Sequence, residues 1–169
     1  EDLQRTEGVS GMALMLPPAH ALVPESTPDE LRGMEQFTVE VWFRPAAENP
    51  NNHQRIVRYW EHYLLSIFNT GRLMGHLYDQ DATKYILHGD GRIHPKRWYH
   101  AAITWDGERA RLWLNGQQLS SVRMSGAINA EPGSGLEFSA PAGDWFHGEL
   151  DELRISNIAR ETFAGARQY

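Results

Sequence analysis

The chain has 169 residues, 41% of them hydrophobic, and a formal net charge of −6. That is enough for one domain with its own core, and the acidic balance, with no basic stripe to offset it, speaks against a nucleic-acid partner. The absence of cysteine excludes a disulfide framework and any cysteine-held zinc, and no apolar run approaches the roughly 20 residues a membrane-spanning helix needs, so no membrane insertion is expected.

Residues 1–10 are polar and read as a flexible N-terminal segment, and residues 11–169 as a single domain. Gly11–Leu16 (GMALML) suits a buried strand stopped by Pro17-Pro18, with Ala21–Val23 as a short continuation. A single helical turn follows, capped by Ser26 or Thr27, with Pro28 at its start, Asp29 and Glu30 in its first turn and Gly33 at its end. Phe37–Arg44 alternates Phe37, Val39, Val41 and Phe43 against Thr38, Glu40 and Trp42. A strand carrying large apolar groups on both sides belongs between layers or under a covering segment. After a polar loop to Gln54, short strands are expected at Arg55–Tyr59, Tyr63–Phe68 and Leu73–Tyr78, the last two joined through Asn69-Thr70-Gly71. Lys84–His88 is another, with Gly89-Asp90-Gly91 as a turn.

Arg97–Gln118 carries the strongest local signal. Two alternating runs flank Asp106-Gly107, and Asn115-Gly116 then sends the chain into Gln117–Met124, which together predict a three-strand antiparallel meander. Pro132–Gly135 reads as a loop, Leu136–Ser139 as a short strand and Phe146–Ile155 as the last long strand, with one helical turn from about Arg160. Short strands, Gly/Pro/Asn turns and almost no helical period indicate an all-β antiparallel sandwich or jelly roll, with at most one or two short helical turns.

Four separated motifs carry a family resemblance: Trp42 to Pro45, Trp98 to Gly107, Trp113 to Gly116, and Gly148 to Ile155. Over roughly Gly11 to Arg160 the chain resembles the laminin G-like, concanavalin A-like jelly-roll domains of lectins and glucanases. The resemblance implies a β-sandwich and a recognition module of a larger exported bacterial protein, extracellular or at the cell surface or periplasm. Its partner would be a glycan or a cell-surface protein. A purely structural or protein–protein domain without a sugar ligand is the alternative.

A glucanase of this type carries carboxylates as Glu-x-Asp-x-x-Glu or Glu-x-Asp-x-Glu, and retaining hydrolysis needs two of them about 5–5.5 Å apart. Here Glu149 and Asp151 alternate onto one face, but the third position falls on Arg154 or Leu153. With no acid/base group to protonate the leaving oxygen, the chain is read as a non-enzyme. Asp151 and Glu152 either pair with an arginine or a loop amide, or Asp151 serves a structural calcium, the one cofactor the resemblance suggests. Asp79-Gln80-Asp81 is a second acidic loop lacking the continuation of a calcium loop. His88, His94 and His100 show no metal-ligand spacing. Sugars are bound by stacking on aromatic rings with polar groups beside them. Trp42, Trp98, Trp105 and Trp113 are assigned to the core, which leaves Trp60 and Trp145, with His62, Tyr63 and Tyr78, as candidate ligand contacts. Asn51-Asn52-His53 is a further loop candidate.

Overall fold

The computed structural model describes residues 4–48, 52–130, 133, 135–140 and 143–166. Its strands are β1 (Arg5–Glu7), β2 (Met12–Leu16), β3 (Ala21–Leu22), β4 (Phe37–Pro45), β5 (Gln54–Tyr59), β6 (Tyr63–Ile67), β7 (Arg72–Tyr78), β8 (Lys84–Arg92), β9 (Tyr99–Trp105), β10 (Arg109–Leu114), β11 (Gln117–Arg123), β12 (Leu136–Ser139) and β13 (Gly148–Ser156). They form a seven-stranded sheet in the order β1-β2-β13-β4-β9-β10-β11 and a six-stranded sheet in the order β3-β12-β5-β6-β7-β8. The named strand pairs are antiparallel throughout. Among the described residues no helix is long and apolar enough to cross a membrane.

The meander β9-β10-β11 forms as its turn residues demand. Asp106 Oδ1 accepts the amides of Glu108 and Arg109, and Gly107 takes φ 94°. Asn115 and Gly116 both lie at positive φ, the geometry a two-residue hairpin needs to match the strand twist. Between the sheets, Phe37, Val39, Val41 and Phe43 of β4 and Ala101, Ile103 and Trp105 of β9 meet Tyr63, Leu65 and Ile67 of β6 and Leu73 and Leu77 of β7. Each fully buried large apolar side chain there contributes about 1.5–3 kcal/mol relative to exposure. The sandwich closes tightly over small residues. A Cβ at Gly75 would stand 2.9 Å from Ile103 Cδ1, and one at Gly89 2.6 Å from Leu119 Cδ1.

Several local expectations are corrected. Gly89-Asp90-Gly91 continues β8 instead of turning; the missing side chain at Gly89 serves close sheet packing, not a bend. Residues 5–7 of the N-terminal segment are paired to β2, with Thr6 Oγ1 donating to Glu149 at 2.9 Å. The helical turn is a single 3-10 turn at Asp29–Leu31 without a side-chain cap, because Thr27 Oγ1 accepts the Leu136 amide instead. Trp98 is half-buried beneath the Arg44 guanidinium, 4.9 Å from its ring centroid, whereas Trp42, Trp105 and Trp113 are buried as expected. Residues 164–166 form a turn, and residues 160–166 contain no helix. Residues 1–3, Asn51, Pro132 and Ser134 of the expected loops, and residues 167–169, lie outside the described residues.

The outer face of the seven-stranded sheet is covered by the chain itself. Thr38 Oγ1 donates to Ile158 O and accepts the Arg160 amide, and Phe163 packs on His100 and Trp113 at 5.1 and 5.4 Å between ring centroids. This explains why β4 carries large groups on both sides. The outer face of the six-stranded sheet has no such strap among the described residues.

Candidate functional site

Residues directly opposite in an antiparallel ladder share a face, so strand register defines what the six-stranded sheet presents outward. One row runs Glu137, Arg58, Leu64, His76, Ile86 from β12 to β8. The next runs Arg55, Ser66, Met74, His88, and on the other side Tyr78 stands opposite Lys84. A bridge at Arg55 brings Trp145 alongside, and alternation then turns Phe146 inward onto Phe43. The floor is sheltered although it faces outward: Ser66 is 0%, Met74 2%, His76 5% and Leu64 8% exposed. Around it, Ile86 is 45% and Trp60 41% exposed, and Tyr78 and Trp145 are half-buried.

Electrostatics give this face a polar floor within a charged border. Arg55 is paired with Asp144 at 2.6 Å and Arg58 with Glu137, while Arg58 also lies over the Trp60 ring at 4.2 Å. Neither Ser66 Oγ nor the His76 imidazole has a hydrogen-bond partner among the described residues. Burial, with the fields of Lys84, His53, His88 and Arg55, pushes the His76 pKa down to about 3. Burial raises the Tyr78 phenol above its ordinary value, with Glu61 adding to it.

Three of the sequence-derived contacts, Trp60, Tyr78 and Trp145, therefore border one surface. The other two do not. His62 and Tyr63 are 0% exposed and lie between the sheets: the turn at Trp60-Glu61, with Glu61 at φ 56°, folds His62 back against Tyr59. Their rings stand 5.4 Å apart at 9°. Both nitrogens of His62 lack partners among the described residues, and burial alone lowers its pKa to about 4. A sealed side chain cannot touch a ligand, so both leave the candidate set. The alternation of Met74, His76 and Tyr78 along β7 was the available signal for the residue that sequence reasoning missed, His76.

The carboxylates lie on the opposite side of the molecule. A bulge between Asp151 and Arg154 brings Arg154 onto the face of Glu149 and Asp151, opposite Glu40. Glu149 is 7% exposed and is held by a two-pronged pair with Arg44 and by Thr6; the Arg44 hydrogen bond chiefly holds its pKa below the ordinary value. Glu40 is also lowered: burial pushes it up, but the His100 hydrogen bond and the charges of Arg160 and Arg154 outweigh burial.

Asp151 accepts the Ser10 amide at one oxygen and the Glu152 amide at the other, and among the described residues no two further acidic or histidine side chains join it to complete an oxygen-rich shell. The surroundings of Asp151 do not fit calcium. Asp79 is likewise turned on its own loop, accepting from Asp81, Thr83 and Tyr85. Among the described residues no three or more acidic or histidine side chains gather as a metal site. His100 faces Glu40 beneath the C-terminal strap, His88 lies on the six-stranded sheet, and His94 is exposed, so the evenly spaced histidines do not converge. A separate cavity of about 520 Å³ at one end of the sandwich is lined by Met34, Trp105, Gly107 and Ile128 among others.

The family profile described as the concanavalin A-like lectin/glucanases superfamily matches residues 22–162. The chain belongs to this superfamily. No curated protein matches the sequence. Among solved structures, the binding domain of Paraclostridial Mosquitocidal Protein 1 is similar with TM-score 0.75 and 17% identity, over 98% of this chain and 44% of that one. The Ruminococcus gnavus IT-sialidase CBM40 bound to α2,3 sialyllactose gives TM-score 0.74 and 14% identity, over 93% and 92%. The botulinum neurotoxin serotype G binding domain gives 0.69 and 14%, over 94% and 42%. At such identities these similarities show the superfamily's jelly-roll fold, and the chain spans less than half of the mosquitocidal and neurotoxin binding domains.

Proposed function

We propose that this domain is a non-catalytic recognition module that binds carbohydrate across the outer face of the six-stranded sheet. The observation that carries the reading is the placement of Trp60, Tyr78 and Trp145 around a sheltered floor at whose centre the His76 imidazole has no hydrogen-bond partner among the described residues. Aromatic faces take the C–H surface of a sugar ring and the floor takes its hydroxyls. Structural neighbours that are a carbohydrate-binding module or the binding domains of toxins support this reading, as does the superfamily. The same likeness supports a place in a larger exported, extracellular or surface protein. A few stacked rings give weak monovalent binding, with avidity supplied by linkage to other modules.

The state of the carboxylates supports a non-catalytic role. Glu149 is engaged by Arg44 and Thr6, and Arg154 occupies the third motif position. A second reading, docking of a protein partner, is favoured by an apolar concavity of about 240 Å³ lined by Met12, Leu14, Leu22, Phe138, Leu150 and Leu153 with Asp151 and Glu152. A glycan array separates the two. Saturable binding that weakens about tenfold in Trp60→Ala, with folding retained, is the expected result; a blank array overturns the reading. Hydrolysis of laminarin abolished by Glu149→Gln in a folded variant would restore the enzyme class.

A further inference from the structure

We propose that the recognition face selects acidic saccharides, seating a carboxylate or sulfate of the ligand at His76 with Lys84 as the second contact. This rests on the assignment of the six-stranded sheet's outer face as the glycan site and narrows its ligand class. His76 sits at the centre of that face, between Leu64 and Ile86 in register, 5% exposed and without a hydrogen-bond partner among the described residues. Lys84 lies one row away, opposite Tyr78, and has no ion pair among the described residues.

The charged groups that act on the imidazole are cationic, although Asp144 answers one of them. The groups whose fields reach His76 are Lys84 and His88 on β8, Arg55 on β5 and His53 just before it, all cations or able to become cations. Of the border carboxylates, Asp144 is occupied by Arg55 and Glu137 by Arg58, while Glu61 lies towards Tyr78, so Lys84 is the permanent cation of this set left without a carboxylate among the described residues. A sugar hydroxyl can pair with the imidazole but leaves that field unanswered. A carboxylate or sulfate accepts from the ring N–H and from Lys84 and also neutralises the field, and hydrogen bonds involving an ion are roughly twice as strong as neutral ones. Tyr78 lies on the same strand face as His76, two residues on, where it can take the ring bearing the acid.

The arrangement also fixes a pH signature. Without ligand, burial and the cationic neighbours keep the imidazole neutral, with its pKa at about 3. An anion placed beside it raises its proton affinity, and once the raised value enters the working range binding takes up a proton and affinity rises as pH falls, by at most about tenfold per unit.

The test uses array glycans in matched pairs that differ only in the acid: uronate against hexose, sialylated against asialo, sulfated against unsulfated. Titration calorimetry then follows the preferred pair from pH 5 to 8. The acidic member should bind roughly tenfold or more tightly, and Lys84→Gln and His76→Gln, checked for folding by their melting curves, should bring the preference to within about threefold. His76→Gln should also flatten the pH dependence. The uronate and sulfate pairs show which anion is preferred. Equal binding of neutral members, or an acid preference that survives both substitutions, overturns the inference while leaving a sugar-binding module; no binding to any glycan overturns both.

Discussion

The two sheets present outer faces built from the same kinds of residues and treat them in opposite ways. On the seven-stranded sheet, Glu40 gathers His100, Arg154 and Arg160, Glu149 is held by Arg44 and Thr6, and the segment carrying Phe163 lies across Trp113 and His100. On the six-stranded sheet, Arg55 and Arg58 pair with Asp144 and Glu137, and His76 and Ser66 on the floor have no partners among the described residues. Charge on a sheet face is therefore no sign of function by itself. The informative feature is which polar groups the fold leaves unanswered.

The largest effect that sharpens this contrast is expected from Glu40→Ala. Removing the carboxylate leaves cations together beneath the strap, and breaking a buried pair costs about 3–5 kcal/mol. Urea denaturation should show a loss of that order, with glycan binding unchanged where the variant is folded. A loss below about 1 kcal/mol would mean the seven-stranded face is not locked by this cluster. Because Glu40 and Glu149 both have depressed pKa values, their stabilisation is present above their ordinary value of 4.5 and is lost as pH falls below it through their folded values.

Trp60→Ala should act in the opposite sense. The indole is 41% exposed, so stability should change little, while glycan affinity should drop about tenfold, the size of one aromatic stacking contact. Unchanged affinity in a folded variant would remove Trp60 from the site.

These contrasts also show what the sequence could disclose. Asp106-Gly107 and Asn115-Gly116 identified the meander because an aspartate that caps its own turn beside a positive-φ glycine, and two adjacent positive-φ positions, leave few alternatives. The double-sided apolar pattern of β4 correctly implied a covering segment, although not that residues 157–166 supply it. Gly89 and Gly91 misled, since a glycine that admits Leu119 across the sandwich is written like one that makes a turn. The fate of RYWEHY was not legible either. A shift of one residue in a short turn decides whether Trp60 or His62 faces water, and no local spacing records it. His76 was readable as a neighbour of Met74 and Tyr78 on one strand face, but its lack of a partner depends on β5, β6 and β8.

A smaller effect is expected from His62→Phe. The ring is sealed with neither nitrogen partnered among the described residues, so an apolar ring of similar shape should be neutral or stabilising by about 1 kcal/mol. The depressed pKa of His62 makes the unfolded chain the better proton binder, so its contribution is complete above pH 6.5 and declines towards about pH 4. His62→Phe should flatten the melting midpoint across that window, and an unaltered slope would show that His62 is not buried neutral. The smallest effect is expected from a chelator: with the Asp151 oxygens held by amides, EDTA should leave the melting midpoint in place. A drop would reinstate calcium.

The division of labour between the two faces is tested most directly by amide chemical-shift mapping with the glycan that binds most tightly on the array. The expected shifts fall on Arg58–Trp60, His76–Tyr78, Lys84–His88 and Asp144–Trp145. Shifts concentrated instead around Glu40, Glu149 and Arg160, or in the cavity beside Met34 and Ile128, would contradict it.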